Sequence, residues 1–290
     1  MIANEDIISI EKLINNKIIN SELLSSSFGI NCIRILTSDN NNFIAKYYRN
    51  PKRGFDAIKS ETNNLITLNN LNLKIFPKVC FSNSKYLIIS FLDNDGMQPK
   101  KTKKDFLNAI ISIHKLTNNH FGFSFDTQIG GLKQINRKSY DWIDFFKEYR
   151  LGYIFDIISM SDPMEKSINN KIDFLLKNLH NYIPKKPNIS LLHGDLWEGN
   201  ILFKNNNFVG LIDPGSFYGH NELEIAYLRW FNSDFIDQFF LEKYGELIKI
   251  DKDYLNYEPI YQLYYSLLNV HLWDRKYIQD VCRLLDKIKV

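Results

Sequence analysis

The chain has 290 residues, 44% of them hydrophobic, which is enough to bury a core for one large domain or a two-lobed unit. Its formal charge of +3 gives no push toward nucleic acid. Cys32, Cys80 and Cys282 lie far apart, odd in number and without metal-type spacing, so a reducing compartment is expected. The opening MIANEDIISIEKL is acidic where a signal peptide would be basic and then apolar. Apolar runs such as Tyr86 to Leu92 are too short to span a bilayer. A cytoplasmic protein without nucleic-acid or membrane partners is therefore expected.

In chain order, residues 6–20 carry a helical period through Ile8, Ile10, Leu13 and Ile14. Ser25-Ser26-Ser27-Phe28-Gly29 then breaks the pattern. Cys32–Leu36 and Phe43–Tyr48 read as strands, with a polar turn over Ser38–Asn42. A helix is expected over 56–71, then strands at Pro77–Phe81 and Tyr86–Leu92. Beyond Asp93-Asn94-Asp95-Gly96 long helical patterns dominate, at 102–117, 139–158, 163–182, 221–231, 234–246 and 254–287. A strand-rich patch at 190–212 interrupts them. Lys100, Lys101, Lys103 and Lys104 read as a solvated helix start. The plan is α+β: a small β-rich lobe over 1–92 and a larger, mainly helical lobe over 93–290.

The densest signal is Leu191-Leu192-His193-Gly194-Asp195-Leu196-Trp197-Glu198-Gly199-Asn200-Ile201-Leu202-Phe203. Apolar residues lead into and out of a loop presenting Asp and Asn. A second run, Phe208-Val209-Gly210-Leu211-Ile212-Asp213-Pro214-Gly215, sets another carboxylate at a strand end. Phosphoryl transfer asks for such a set. One carboxylate takes the proton of the attacking hydroxyl, and an amide oxygen and a second carboxylate hold Mg²⁺ against the phosphates of ATP. Asp195 and Asn200 are five positions apart (200−195), the spacing of the kinase catalytic loop. Upstream, Lys46 in Phe43-Ile44-Ala45-Lys46-Tyr47 suits the phosphate-binding cation, with Glu61 on the next helix as its partner. Ser90, Phe91 and Leu92 would form an adenine-binding hinge.

Together these residues resemble the fructosamine kinase (ketosamine 3-kinase) family, within the wider aminoglycoside-phosphotransferase and protein-kinase-like fold. HGDLWEGN at His193–Asn200 matches the family's HGDLW-x-GN loop, and DPGSFYGHNE at Asp213–Glu222 matches its DPA-x-x-YGH-x-E run. Between Phe121 and Leu151, the FGF, IGG, Gln134, Asn136, Trp142, Phe145, Phe146 and Arg150 series is similar to the family's order. Tyr261-Gln262-Leu263-Tyr264 and Leu267-Leu268-Asn269 also fit.

The resemblance implies ATP- and Mg²⁺-dependent phosphorylation of the sugar O3 of ketosamines, free or on glycated protein side chains, in a deglycation role. Asp195 would be the base, Asn200 and Asp213 the metal ligands, and Lys46 with Glu61 the phosphate clamp. Phe28 and Gly29 would lie in the phosphate loop, and Trp197 and His271 in the substrate pocket. His193, His220 and Glu222 read as scaffold.

The sequence departs from the family at its phosphate loop. Ser25–Asn31 carries Ser in place of Gly, and Phe28, not Cys32, occupies the place of the loop cysteine. Cys32 is expected buried in a strand, with no redox loop. Ser90 replaces an acidic hinge residue, and His271 is displaced by one from an Asn-His pair. Two alternatives share these residues: a kinase for another small hydroxylated or aminated molecule of aminoglycoside or choline type, and a nucleotide-binding pseudokinase regulator.

Overall fold

A computed structural model describes residues 3–50, 54–100, 104–231 and 235–290. The expected basic helix start includes Lys101 and Lys103, which lie outside the described residues. Two compact units are present. The first takes Met1–Gln98, Thr127–Lys133 and Asn200–Gly215; the second takes Pro99–Asp126, Gln134–Gly199 and Ser216–Val290. A single division at 92/93 therefore does not describe the chain, because two short later stretches belong with the N-terminal sheet.

The first unit opens with α1 (Asn4–Ile14), not with a helix to residue 20. Asn15 takes a left-handed conformation at φ 51°, and its N–H closes the helix on the Glu11 carbonyl. Asn tolerates this backbone better than most residues, so it ends helices well. Ile18–Ser27 is then β1, in a sheet ordered β1-β2-β3-β5-β4, where β2 is Ile30–Thr37, β3 Asn42–Tyr48, β4 Val79–Ser82 and β5 Tyr86–Ser90. All its pairings are antiparallel.

Period-two alternation sorts the sheet residues between two faces. Ile33, Ile35, Ala45, Tyr47, Tyr86 and Ile88 pack with Ile10 of α1 into one core. Cys32, Lys46 and Leu87 stand in register across β2, β3 and β5, so they share the opposite face. Helix α2 (Ala57–Asn70) is capped by Asp56, whose carboxylate accepts the Lys59 N–H.

The hairpin of β9 (Ile201–Lys204) and β10 (Asn207–Leu211) belongs to this unit. Its Leu211 N–H donates to the Ile75 carbonyl at 2.8 Å. The segment after β5 also holds it: the Asp95 N–H reaches the Phe203 carbonyl, and Gln98 Nε2 reaches the Ile201 carbonyl. These bonds are why the unit runs past residue 92.

In the second unit, β8 (Ile189–Leu192) pairs with β11 (Phe217–His220), with Leu192 opposite Phe217. Around them lie α3 (Lys104–His114), α6 (Lys166–Lys177), α7 (Asn221–Phe231), α8 (Gln238–Gly245), α9 (Tyr254–Leu272) and α10 (Ile278–Ile288). The helix expected over 139–158 is instead α4 (Trp142–Phe146), a π-helical turn (Lys147–Leu151) and α5 (Gly152–Ser161). The π turn places Arg150 wholly out of solvent. There its guanidinium lies 3.9 Å over the Phe217 ring and donates to Asn136 Oδ1 and the Ile135 carbonyl. Back in the first unit except for its last residue, a short hairpin of β6 (Thr127–Ile129) and β7 (Leu132–Gln134) leaves no periodicity strong enough to read from sequence.

Candidate active site

In the first unit the Lys46 ammonium bonds Glu61 Oε1 at 2.7 Å and also contacts Asp213 Oδ1. Lys46 and Glu61 are buried, whereas the Asp213 side chain is 40% exposed. Burial works against the Lys46 charge, but the Asp213 and Glu61 carboxylates outweigh it and raise its pKa. Burial pushes the Glu61 carboxyl up, and Lys46 opposes this. With two oxygens against one nitrogen, the charged ammonium is the state the geometry favours.

The β9–β10 hairpin brings Asn200 close to Asp213. Ile201 pairs with Leu211, and the Ile212 N–H donates to the Asn200 carbonyl at 3.1 Å. Asp213 is the next residue. Its φ of 56° is left-handed, a conformation uncommon for a side-chain-bearing residue and found disproportionately at functional sites. The side-chain oxygens of Asn200 and Asp213 are hard donors, the set that suits Mg²⁺ keeping several waters. Among the described residues no group of three or more His, Cys, Asp or Glu is placed to hold a metal ion.

The expected phosphate loop is a two-residue turn. Ser25–Ser27 lies within β1 and pairs with β2, so Phe28 and Gly29 alone form the hairpin tip. Both have positive φ, 49° and 77°, the signature of a tight primed hairpin turn. Phe28 packs against Gly131, where a built Cβ would stand 3.0 Å from the phenylalanine Cβ. Cys32 is in a strand as expected but only half-buried, on the Lys46 face. Burial pushes its thiol up to about 11, which keeps it protonated and unreactive.

At the hinge, Ser90 Oγ accepts the Lys78 N–H, and the Phe91 ring carries the Arg34 guanidinium at 4.1 Å. Leu92 packs on Gly210. All three side chains are thus engaged within the first unit.

In the second unit, the loop after β8 is anchored by Glu224 of α7. This carboxylate accepts the His193 N–H at 3.0 Å and the Gly194 N–H at 2.7 Å. It also faces His114 Nε2 at 2.9 Å. Asn221 donates to the Tyr244 hydroxyl, which lies 2.7 Å from His114 Nδ1. Burial raises the Glu224 carboxyl, but the His114 bond and the loop N–H groups outweigh it and leave it below its ordinary value. Glu224's role in holding the loop escaped sequence reading, since 30 residues separate it from Gly194.

Half-buried Asp195 follows, its N–H on His193 Nδ1 at 3.3 Å. The Asp195 charge is one of the influences that, after burial, hold the Tyr227 phenol of α7 well above its ordinary value. Trp197 folds over Gly199, where a built Cβ would stand 2.4 Å from the indole, and meets the Phe231 ring at 5.5 Å. His271 lies in the last turn of α9, seven residues (271−264) and so about two turns beyond Tyr264. His220 and Glu222 are buried scaffold: His220 Nδ1 meets the Tyr261 hydroxyl at 2.8 Å, and Glu222 accepts the Asp251 N–H. A cavity of about 690 Å³ between α7, α9 and α10 is lined by none of the expected site residues, although Trp230 on its wall neighbours Tyr227.

Among solved structures, one from Thermobifida fusca assigned to fructosamine-3-kinase superposes with a TM-score of 0.84 at 19% identity, covering 99% of each chain. The gentamicin-bound aminoglycoside phosphotransferase APH(2")-IIa gives 0.69 at 19% identity, also over 99% of each chain. The fold is thus that of the protein-kinase-like small-molecule phosphotransferases.

In sequence, the chain is 30% identical over 206 residues to an Enterococcus faecium protein named as a probable ketoamine kinase, covering 71% of this chain and 72% of that one. It is 30% identical over 207 residues to the chloroplastic protein-ribulosamine 3-kinase of Arabidopsis thaliana, covering 69% and 61%. The sequence profile of the fructosamine kinase family matches residues 11–290. The chain belongs to the fructosamine kinase family and is an ATP-dependent kinase of that family. No helix among the described residues is long and apolar enough to cross a membrane.

Proposed function

We propose that this chain transfers the γ-phosphoryl group of ATP to O3 of a ketosamine, free or carried on a glycated protein. The observation that carries this reading is Lys46 held between Glu61 and Asp213, with Asn200 placed beside Asp213 by the hairpin register. Asp195 accepts the proton of the sugar O3–H as that oxygen bonds to the γ-phosphorus. The bond from phosphorus to the bridging β,γ-oxygen breaks, and ADP leaves. Lys46 binds the phosphates, and Glu61 keeps its ammonium in place. The backbone of Ser90–Leu92 receives the adenine, and the Phe28–Gly29 turn covers the phosphates. Asn200 and Asp213 would hold Mg²⁺, which when bound would neutralise phosphate charge. Trp197 offers an indole face to the sugar, and His271 contributes to substrate choice. ATP as co-substrate fits action in the cytoplasm.

The test is an ADP-coupled assay with fructosyl-lysine and ribulosyl-lysine, run beside Asp195→Asn. Wild-type turnover of one of them is expected, with a loss of at least about a hundredfold in the variant, since positioned base catalysis contributes 10²–10⁴. No turnover of either compound by the wild type overturns the substrate class. Full activity in Asp195→Asn overturns the base. Mg·ATP should also raise the melting temperature through native-state binding.

A further inference from the structure

The cavity between α7, α9 and α10 lies wholly within the second unit, and none of its walls carries a residue assigned to phosphoryl transfer. Its volume of about 690 Å³ falls within the range of small-molecule sites, about 300–1,000 Å³. Its charge is one-sided. Arg229, Arg283, Lys287 and Lys289 line it, against Glu258 as the single carboxylate. Arg229 Nε donates to Glu258 Oε1 and Nη1 to the Ile236 carbonyl, so this pair is neutral and Nη2 is left without a partner among the described residues. Arg283 is paired with Asp280, which is not part of the wall. Lys287 and Lys289 have no ion-pair partner among the described residues. Lys289 reaches the wall from just past the end of α10, where its backbone is left-handed at φ 63°. Two uncompensated ammonium groups on a concave wall favour an anionic ligand.

The same cavity presents acceptors. Glu258 and Gln262 are each only 9% exposed, yet both line it. Glu258 Oε1 is taken by Arg229 and by the Tyr254 hydroxyl, whereas Oε2 has no partner among the described residues. Gln262 Nε2 makes one long bond, 3.4 Å to the Ala226 carbonyl, and Oε1 makes none. Buried polar atoms are normally paired, so these two oxygens call for donors from a ligand or solvent. Pro259 lies inside α9 and has no N–H, so the Leu255 carbonyl four residues back lacks its helical donor, and both residues line the cavity. Half-buried Trp230 adds an indole to the wall. We propose that this cavity is a second binding site and takes a sugar phosphate. Lys287 and Lys289 supply the charge that holds the phosphate, and Arg229 Nη2 a further donor. The open oxygens of Glu258, Gln262 and Leu255 accept bonds from sugar hydroxyls, and the Trp230 ring suits the C–H face of the sugar. A bare anion would leave the acceptors unused, and a neutral sugar would leave the lysines unused. The proposal does not depend on which residue is the catalytic base.

The experiment is a calorimetric titration of the full chain with glucose 6-phosphate, ribose 5-phosphate, glucose and inorganic phosphate. Saturating Mg·ADP is present throughout, so that the nucleotide site is filled. At least one sugar phosphate should bind at one equivalent, about tenfold or more tighter than glucose or inorganic phosphate, the gain from adding charged hydrogen bonds to neutral ones. Lys287→Gln/Lys289→Gln should weaken that binding by about tenfold or more. Lys166→Gln/Lys177→Gln changes the net charge equally, but at exposed positions of α6 outside the cavity wall. It should leave the affinity within about twofold, because distant surface charges are screened. The melting temperature of each variant, with and without Mg·ADP, reports that it is folded and binds nucleotide. Absence of binding by both sugar phosphates overturns the proposal. Binding no tighter than that of inorganic phosphate also overturns it, leaving only a general attraction for anions. Sugar-phosphate binding that survives Lys287→Gln/Lys289→Gln places the ligand elsewhere and overturns it as well.

Discussion

Glu224 on α7 accepts the backbone N–H of Gly194 at 2.7 Å, and its other oxygen takes the N–H of His193. A helix that follows β11 thereby fixes the backbone of the loop that presents Asp195. Glu224 is wholly buried, and His114 supplies its third bond. Glu224→Ala leaves two backbone donors and His114 without an acceptor, and an unsatisfied buried donor costs about 1–3 kcal/mol. We expect a loss of about 3–5 kcal/mol in stability, as for breaking a buried charged network, and a fall in kcat of at least tenfold. Glu224→Gln should lie between, because its amide presents a donor to at least one donor. Denaturant melts and kcat measure the two effects. A Glu224→Ala enzyme with wild-type kcat would show that the loop holds its shape without this anchor.

Lys46 carries the next prediction. Lys46→Met leaves Glu61 buried beside Asp213 without its cation. Glu61 should then take up a proton, as burial already favours its neutral form. We expect kcat/KM for ATP to fall by about 10²–10³, the range for removing one preorganised charge-stabilising group. Glu61→Gln retains an acceptor for Lys46, so a smaller fall of about tenfold is expected. Steady-state kinetics at varied ATP check both, and an unchanged kcat/KM in Lys46→Met removes Lys46 from the phosphate site.

Gly199 gives a test independent of catalysis. Its φ is not left-handed, so its lack of a side chain is explained by the indole of Trp197, which stands 2.4 Å from a built Cβ. Gly199→Ala must displace a bulky ring held against Phe231. Overpacking of this kind costs about 1–3 kcal/mol. In a Trp197→Ala background the same substitution should cost almost nothing. A double-mutant cycle on stability measures the coupling, and additive effects would refute it.

Much of the proposed reacting set was legible as a set because it is local. Asp195 and Asn200 share one loop, and Asp213 ends the hairpin that follows, so spacing alone carried them. Residues acting through long-range packing left no such trace. Glu224 holds the Gly194 N–H from a helix 30 residues on (224−194), and in sequence it is one acidic residue among many. The run from Phe121 to Leu151 told more about the core than about the site. Trp142 is wholly buried, its Nε1 on the Tyr261 hydroxyl, and Arg150 is a buried structural cation. The misread helix 6–20 turned on one residue, Asn15, whose left-handed backbone a hydrophobic period cannot report. The division at 92/93 failed for a related reason, since main-chain bonds such as Asp95 to Phe203 depend on the fold and not on side-chain type.

The last prediction concerns acid stability and rests on His220. Burial depresses its pKa to about 3, with the neighbouring charge of His114 acting the same way. The hydrogen bonds agree. Trp142 Nε1 donates to the Tyr261 hydroxyl, which lies 2.8 Å from His220 Nδ1, so Nδ1 accepts and the proton sits on Nε2, 3.3 Å from Glu222. In the unfolded chain a histidine titrates near 6.5. Between about pH 6.5 and pH 3 the unfolded chain therefore binds a proton at this position that the folded protein refuses, and stability must fall as pH drops through that window. Glu222 acts in the opposite sense, because burial raises its pKa and favours the folded state where it is protonated. His220→Asn keeps a small polar group beside Tyr261 and removes the titration. It should cost stability at pH 7 through lost packing, yet lose less further stability than wild type between pH 6.5 and pH 4. Melting temperatures of the two proteins across that range decide it: parallel curves would mean that His220 carries its proton in the folded protein as readily as in the unfolded one.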